Sequence, residues 1–325
     1  MTGRGAESPQ NMTAPDSLPG RLALTVSAVQ YHWPRQVMLD FYDEMAESPA
    51  DTIVLGEAVC FRRRELKLSD WLALARDLAT AGKEVVLVTR TLIESEADLR
   101  TVRRLTEQHE FLIEAGDASA LQLLPDKTPF VLGPHLNIYN RAALAEHAAL
   151  GATRWVAPAE LSLSMLALIN PPDDPVPTIT GAAMQTEAFA FGRLPLAISA
   201  RCFTARHHRL NKDECEFRCL DYPDGLLLSS SEGLPFLVLN GTQTQSAAQH
   251  CLISDATALR AAGVSRLRLS PCAQRFGEAL DWFDRVMNQG VPATQALPAL
   301  QAMSLPGGLS NGYAHNRPGM NWTDP

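Results

Sequence analysis

Short apolar runs alternate with amphipathic windows along most of the chain. Arg21–Val29 and Thr52–Gly56 read as strands, and the window Pro34–Ser48 between them carries apolar residues at helical spacing. Further helices are predicted from an N-cap at Ser69 to Gly82, up to about His109, and over Phe276–Asn288. The remaining predicted strands are Glu84–Thr89, Phe111–Ala115, Pro129–Gly133, Arg154–Ala159, Ala183–Phe191 and Arg266–Ser270.

Repeated strand–helix–strand units imply a parallel sheet with right-handed crossovers. Because six or more units occur without a dinucleotide-binding fingerprint, we predict an α/β fold closed into a (β/α) TIM-like barrel. Leu226–Asn240 breaks the rhythm and is predicted to be a hairpin inserted before the last unit. We predict a flexible tail over residues 1–20, a barrel-like domain over 21–290 and a loop-rich segment over 291–325.

Composition narrows the function classes. The chain has 325 residues, of which 46% are hydrophobic and 20% charged, and its net charge is −8. This balance is that of an ordinary globular protein and argues against a broad basic surface for nucleic acid. No apolar run reaches the length of a membrane span, and the first twenty residues lack the apolar core of a signal peptide. A cytoplasmic location is therefore expected, in which cysteines act as metal ligands, catalytic thiols or core residues rather than disulfides.

Four of the six cysteines form a candidate ligand set. Cys202 is followed after twelve residues by Cys215 and after three more by Cys219, whereas Cys60 lies far upstream at a predicted strand end. Strand ends of a barrel face one rim, where these thiols can converge on Zn²⁺ or an iron–sulfur cluster. The wide spacing, without a tight Cys-x-x-Cys pair, favours a cluster. The alternative is that they are small buried core residues, but the segment around Cys215 and Cys219 is too polar for a core.

Basic and polar residues surround the same segments. Arg62–Arg64 follow Cys60, and Arg201 and Arg206 flank Cys202, where guanidinium groups would stabilise a negative cluster or clamp an anionic substrate. A solvated charged loop is the alternative for the first group. Candidate catalytic residues also stand at predicted strand ends, although each has a simpler interpretation as a barrel-mouth residue bonded to loop backbone; they are Glu57, Glu114, His135 with Asn137, and Glu160.

A peptidase constellation is not predicted. Gly308–Gly312 matches G-x-S-x-G, but a nucleophile elbow needs a strand before it and a helix after it, and neither is predicted there. The zinc-protease motif H-E-x-x-H is absent from the sequence. Cys251, in a predicted helical window, and Cys272 are interpreted as structural.

A family resemblance adds to this picture. Glu187, Phe189 and Gly192 form E-x-F-x-x-G, with Cys202 ten residues later, and this resembles the signature of peptidase family U32, the collagenase-like proteins. Pro195 and Ala200 depart from the general pattern, in which Cys and Gly are usual. These departures resemble the branch that serves oxygen-independent ubiquinone biosynthesis, as do the strings LGEAVC (Leu55–Cys60), DWL (Asp70–Leu72), FLIEA (Phe111–Ala115), LPLA-x-SARCFTAR (Leu194–Arg206) and KDECE (Lys212–Glu216).

The resemblance implies a 4Fe–4S cluster on Cys60, Cys202, Cys215 and Cys219. It also implies a heterodimer with a UbiU-like protein of the same family, a UbiT-like lipid carrier in the same pathway, and hydroxylation of the ubiquinone precursor ring without oxygen. Prephenate is the implied oxygen donor, and a dianion of that kind suits an arginine-rich rim. Two alternatives stay open: an RNA-modifying hydroxylation factor, as in relatives, and a zinc-binding or scaffold subunit without chemistry of its own.

Overall fold

Eight parallel strands pair in a closed ring in the computed structural model of the protein, which describes residues 20–303 and 306–324. The strands in chain order are β1 (Ala23–Val26), β2 (Thr52–Leu55), β3 (Glu84–Val88), β4 (Leu112–Ala115), β5 (Phe130–Leu132), β6 (Ala152–Val156), β7 (Gln185–Ile198), β8 (Leu226–Ser229), β9 (Pro235–Asn240), β10 (Gln243–Cys251), β11 (Val264–Leu269) and β12 (Leu309–Ser310). The helices are α1 (Arg35–Glu47), α2 (Leu68–Thr80), α3 (Glu96–Thr106), α4 (Ala118–Leu123), α5 (Arg141–Leu150), α6 (Leu163–Ile169), α7 (Phe203–His207), α8 (Ala256–Ala261), α9 (Phe276–Asn288) and α10 (Ala293–Met303).

The ring consists of β1 to β7 and β11. It closes because β11 pairs in parallel with both β1 and β7, while each of the first six strands pairs with the next. Along β2, Ile53 and Leu55 join the main core with the surrounding helices, whereas Val54 belongs to a separate small cluster with Val86 and Val131 of neighbouring strands. Successive side chains of β2 thus point to opposite faces of the sheet, and both faces are buried. The predicted TIM-like α/β barrel is confirmed.

The barrel interior also holds a layer of buried ion pairs. The Arg268 guanidinium donates to Glu114 at 2.9 and 2.6 Å and to Glu187 at 2.6 Å. Nearer the start of the strands, Arg154 donates to Glu84 at 2.7 Å, and the same carboxylate lies 3.3 Å from Arg266. Charges so far from water persist only when paired and hydrogen-bonded, so this layer acts as one network.

A second, antiparallel sheet grows out of the barrel wall. β7 pairs with barrel strands up to Phe191, and from Phe191 onward it also pairs with β10, which in turn pairs with β9. Gly192 has a φ of +111°, and a Cβ there would lie 2.8 Å from the Ser270 carbonyl oxygen, so only glycine suits the point where the strand leaves the barrel. The predicted hairpin is confirmed, since β8 and β9 are antiparallel.

Several sequence expectations need correction. Cys251 ends strand β10 rather than lying in a helix. Ser69 is not an N-cap, because α2 begins at Leu68 and the Asp70 carboxylate accepts a hydrogen bond from the Lys67 backbone N–H at 2.8 Å. The segment predicted as loop-rich contains α10, which has Pro298 in its interior.

The remaining expectations about the chain termini have mixed outcomes. Residues 1–19 of the predicted tail lie outside the described residues. Ser310 of the G-x-S-x-G match lies in the short strand β12, before a 3-10 helix at Gly312–His315, but its side chain is fully buried rather than presented at a surface turn. None of the helices in the described part of the chain is long and apolar enough to span a membrane.

Candidate metal centre

The four cysteines singled out by spacing line one pocket beside the barrel. Cys60 lies in the loop after β2, and Cys202 is the N-cap of α7, just beyond the end of β7. Cys215 and Cys219 belong to the two 3-10 turns that follow α7. The pocket is completed by Arg62, Arg63, Thr204, Ala205, Phe217, Arg218 and Gly241.

The turn between β9 and β10 ties the cysteine-bearing segments together. The Thr242 hydroxyl donates to the Val59 carbonyl at 2.8 Å, which fixes the loop that carries Cys60. The Gly241 carbonyl accepts the Phe203 N–H at 2.7 Å, which fixes the start of α7 next to Cys202. Segments about 140 residues apart in sequence are therefore held by one turn of the second sheet.

Arg63 is the buried cation of the site. Its guanidinium donates to the Gln30 carbonyl at 2.6 Å and to the Asn240 side chain at 2.7 Å, and it also hydrogen-bonds Cys219. Only 2% of its side chain is exposed. A Cβ on Gly241 would lie 3.0 Å from the guanidinium, so the glycine leaves room for this close approach. The interpretation of Arg62–Arg64 as a solvated loop therefore fails for Arg63.

His32, which the sequence analysis did not select, also touches the site. Its Nδ1 lies 3.2 Å from the Cys219 sulfur, and its Nε2 lies 3.3 Å from Glu65. Burial, together with the nearby Arg63, lowers the pKa of His32 to about 4. The imidazole is therefore neutral at neutral pH and can offer one N–H to a sulfur. His32 follows strand β1, and no spacing pattern links it to the cysteines, so nothing in the sequence pointed to its contact with Cys219.

The thiols are free, and burial sets their acidity. Burial raises the pKa of Cys60 and of Cys219, and the Arg63 guanidinium opposes that rise in both cases. A thiol must lose its proton to bind metal, so loading of this site would release protons. No three His, Cys, Asp or Glu side chains within residues 20–303 and 306–324 surround a single point closely enough to hold one metal ion.

Glu57 is the one catalytic candidate that meets the cysteines. Its carboxylate accepts the backbone N–H groups of Val59 and Cys60 at 2.9 and 3.0 Å and lies 3.8 Å from Arg63. Burial raises the pKa of Glu57, against the effect of Arg63 and these two hydrogen bonds. Glu57 therefore shapes the loop that presents Cys60.

The other candidates lie elsewhere. His135 lines a small cavity at the barrel mouth, where burial lowers its pKa, and Glu160 accepts a hydrogen bond from Tyr139 at the surface. Arg201 and Arg206 flank Cys202 in sequence, but both are exposed and neither lines the cysteine pocket. The structure thus brings together the four cysteines and Glu57, and the other four candidates do not line the cysteine pocket.

The mouth of the barrel is nearly filled. Its cavity measures about 40 Å³, room for one or two waters, and is lined by His135, Phe189, Arg268 and Glu114 among others. Glu114, expected at the rim, is instead buried in the ion pair with Arg268. The usual active-site position of this fold therefore has little free space.

The fold and the site define a (β/α)₈-barrel protein with a pocket lined by four cysteine thiols beside the barrel. Within such proteins the chain belongs to peptidase family U32, whose family model matches residues 39–324.

Several solved enzyme structures resemble the chain only weakly, and the fold assignment rests on its own strand pairing. They include a truncated 3-deoxy-D-arabino-heptulosonate 7-phosphate synthase from Thermotoga maritima (10% identity, TM-score 0.35, covering 86% of this chain and 88% of that one). Dihydropteroate synthase from Burkholderia cenocepacia gives 12% identity and a TM-score of 0.38, covering 86% and 93%. The spore cortex-lytic enzyme SleL from Bacillus megaterium gives 9% identity and a TM-score of 0.39, and the match covers 82% of this chain and 74% of that one.

Proposed function

We propose that the chain is a UbiV-type iron–sulfur protein that acts in oxygen-independent hydroxylation of the ubiquinone precursor ring. The observation that carries the proposal is the convergence of Cys60, Cys202, Cys215 and Cys219 on one pocket. Four thiolates are the donor set of a [4Fe–4S] cluster, and such a cluster supplies the electron-transfer chemistry that side chains lack.

The surroundings of the thiols suit a cluster better than a single zinc ion. A structural zinc site places four ligands about 2.3 Å from one point, whereas these thiols do not surround a common point. A cluster carries net negative charge, which the buried Arg63 and the pocket-lining Arg62 and Arg218 would balance. The N–H of Ala205 lies 3.4 Å from the Cys202 sulfur and supplies a further donor.

The partner in this proposal is a UbiU-like protein of the same family, with a UbiT-like carrier delivering the lipid precursor and prephenate as the oxygen donor. Exposed apolar side chains support a protein partner on the second sheet next to the cysteines. They are Leu196 on β7, Leu234 in the β8–β9 turn and Phe236 on β9. Loss of co-purification with the partner in Phe236→Asp is the expected outcome, while Val37→Asp, an exposed apolar residue of α1 outside the second sheet, remains bound.

Metal analysis tests the proposal. Anaerobically purified protein is expected to hold about four iron and four acid-labile sulfide per chain, with a broad absorption band near ~400 nm. Cys202→Ala should lose both, whereas Cys272→Ala, which changes a buried thiol outside the pocket, should keep them. Absence of iron after anaerobic reconstitution, or one zinc per chain in its place, would overturn the proposal.

A further inference from the structure

A large cavity lies outside the barrel wall, next to the cysteine pocket. It measures about 440 Å³ and is bounded by the ends of β2 and β3 on one side and by α2 and α3 on the other. This volume is within the range of small-molecule sites, roughly 300–1,000 Å³. It is also about ten times the free volume at the barrel mouth, so the room for an organic ligand is here.

The inner wall of the cavity is apolar. Leu55 and Leu87 project outward from the barrel strands, and Trp71 and Leu105 face them from the two helices. Such a surface binds hydrocarbon or aromatic groups by removing them from water.

The charges around the cavity are unbalanced toward the positive. Its two carboxylates are already occupied, because Asp98 is paired with Arg90 and Glu57 accepts the N–H groups of the Cys60 loop. Arg64, Lys67 and Arg104 also line the cavity, all three are exposed, and none forms a salt bridge with a described residue. Two exposed guanidinium groups beside an apolar wall are suited to one anionic group on an otherwise apolar molecule.

The cavity and the cysteine pocket share a wall. Arg63 lines both, and Glu57 lines the cavity while its carboxylate holds the Cys60 N–H. A ligand in the cavity would therefore be separated from the thiols by a single layer of side chains. This adjacency connects the cavity to whatever chemistry the cysteines support.

We infer that this cavity binds an apolar molecule that carries one carboxylate, with Arg64 and Arg104 holding the carboxylate and the Trp71 side lining the apolar body. The inference goes beyond the proposed function and does not depend on it.

Calorimetric titration of the full chain with 4-octylbenzoate, and with its neutral amide 4-octylbenzamide, tests the inference. The acid should bind at least about tenfold more tightly than the amide, as one charge-assisted contact predicts. Arg104→Ala should weaken binding of the acid about tenfold and leave the amide unchanged. Arg103→Ala is the matched control, because it removes the neighbouring exposed arginine of α3, which does not line the cavity.

A second variant tests the apolar wall. Thr101 is exposed on α3 and lines the cavity, so Thr101→Trp should fill space without disturbing the core and should abolish binding of both compounds. Equal affinity for acid and amide, equal effects of Arg104→Ala and Arg103→Ala, or full binding by Thr101→Trp would each overturn the inference.

The two proposals fail in different ways. Titration is carried out on iron-loaded and on metal-free protein. Binding of the acid by a chain that never takes up iron would overturn the proposed function and keep the cavity as a ligand site. Iron-loaded protein that does not bind the acid would overturn the cavity inference alone.

Discussion

Replacement of Arg268 by Met tests whether the ion layer inside the barrel is a single network. The change keeps most of the side-chain volume but removes the only cation among the described residues that forms an ion pair with Glu114, whose side chain is 3% exposed. Three hydrogen bonds of 2.6 to 2.9 Å disappear, and the salt bridge that Glu187 retains within the described residues is with Arg154, at 3.9 Å. Breaking a buried pair of this kind costs about 3–5 kcal/mol of unfolding free energy.

The loss should depend on pH in a defined direction. Burial favours the neutral form of Glu187, but Arg268 and Arg154 outweigh it and hold the pKa of that carboxyl below its usual range. Without Arg268, burial should outweigh the remaining cations, and the folded-state pKa of Glu187 rises above the unfolded value of about 4.3. The folded variant then binds more protons than the unfolded chain, so its deficit shrinks as the pH falls toward that raised pKa.

Urea denaturation of metal-free protein at about pH 8 and about pH 5 measures both effects. Arg268→Met with Glu114→Gln should recover part of the loss, since one uncompensated charge is gone. Arg268→Lys keeps the charge but not the bidentate contact with Glu114, and it should lose less unfolding free energy than Arg268→Met. This variant still tests the network if Arg268→Met does not fold. Arg100→Met, on the exposed face of α3, is the control. A loss below about 1 kcal/mol, or equal losses at both pH values, would refute the reasoning.

Three further outcomes are expected. Burial lowers the pKa of His250 to about 4, so wild type should lose about 2 kcal/mol more unfolding free energy than His250→Gln between pH ~7.5 and ~5. In urea denaturation, Gly192→Ala should lose about 2–4 kcal/mol of unfolding free energy and Gly233→Ala about 1–2 kcal/mol. Both glycines have positive φ, but of the two only Gly192 would place its new Cβ 2.8 Å from a backbone oxygen, and equal losses would contradict this. Arg63→Met should retain less iron than Arg64→Met after anaerobic reconstitution, whereas equal iron would show that the buried cation does not matter.

The barrel was predictable because its strands and helices carry strong periodic patterns. Phe276–Asn288 matches α9 at both ends, since apolar residues recur on one face throughout. β10 was missed because its polar sequence, rich in glutamine, has little β-propensity, and its stability comes from pairing on both sides with β7 and β9. The last helix was missed because Pro298 suggests a break, whereas Ala296 and Leu300 pack it onto the core.

The site was only partly visible in the sequence. The cysteines were found because thiols in a polar segment are unusual, and their spacing could be read directly. The supporting groups could not be found in this way, because Arg63 and Arg64 are neighbours of the same type and only the fold buries the first and exposes the second. Likewise the contact of His32 with Cys219 joins residues 187 positions apart.

The position of the cysteine pocket follows from how the barrel is filled. Arg268, Glu114 and Glu187 occupy the interior below the mouth, so little free volume remains at the centre. The long strand β7 passes this layer, turns outward at Gly192 and leads directly to Cys202. A site of four thiols and its neighbouring cavity can therefore lie on the flank of the barrel, where the second sheet supplies support that a closed ring of parallel strands does not. Because the outward turn at Gly192 leads the chain to Cys202, a substitution that removes this turn should disturb the cysteine pocket more than it disturbs the barrel.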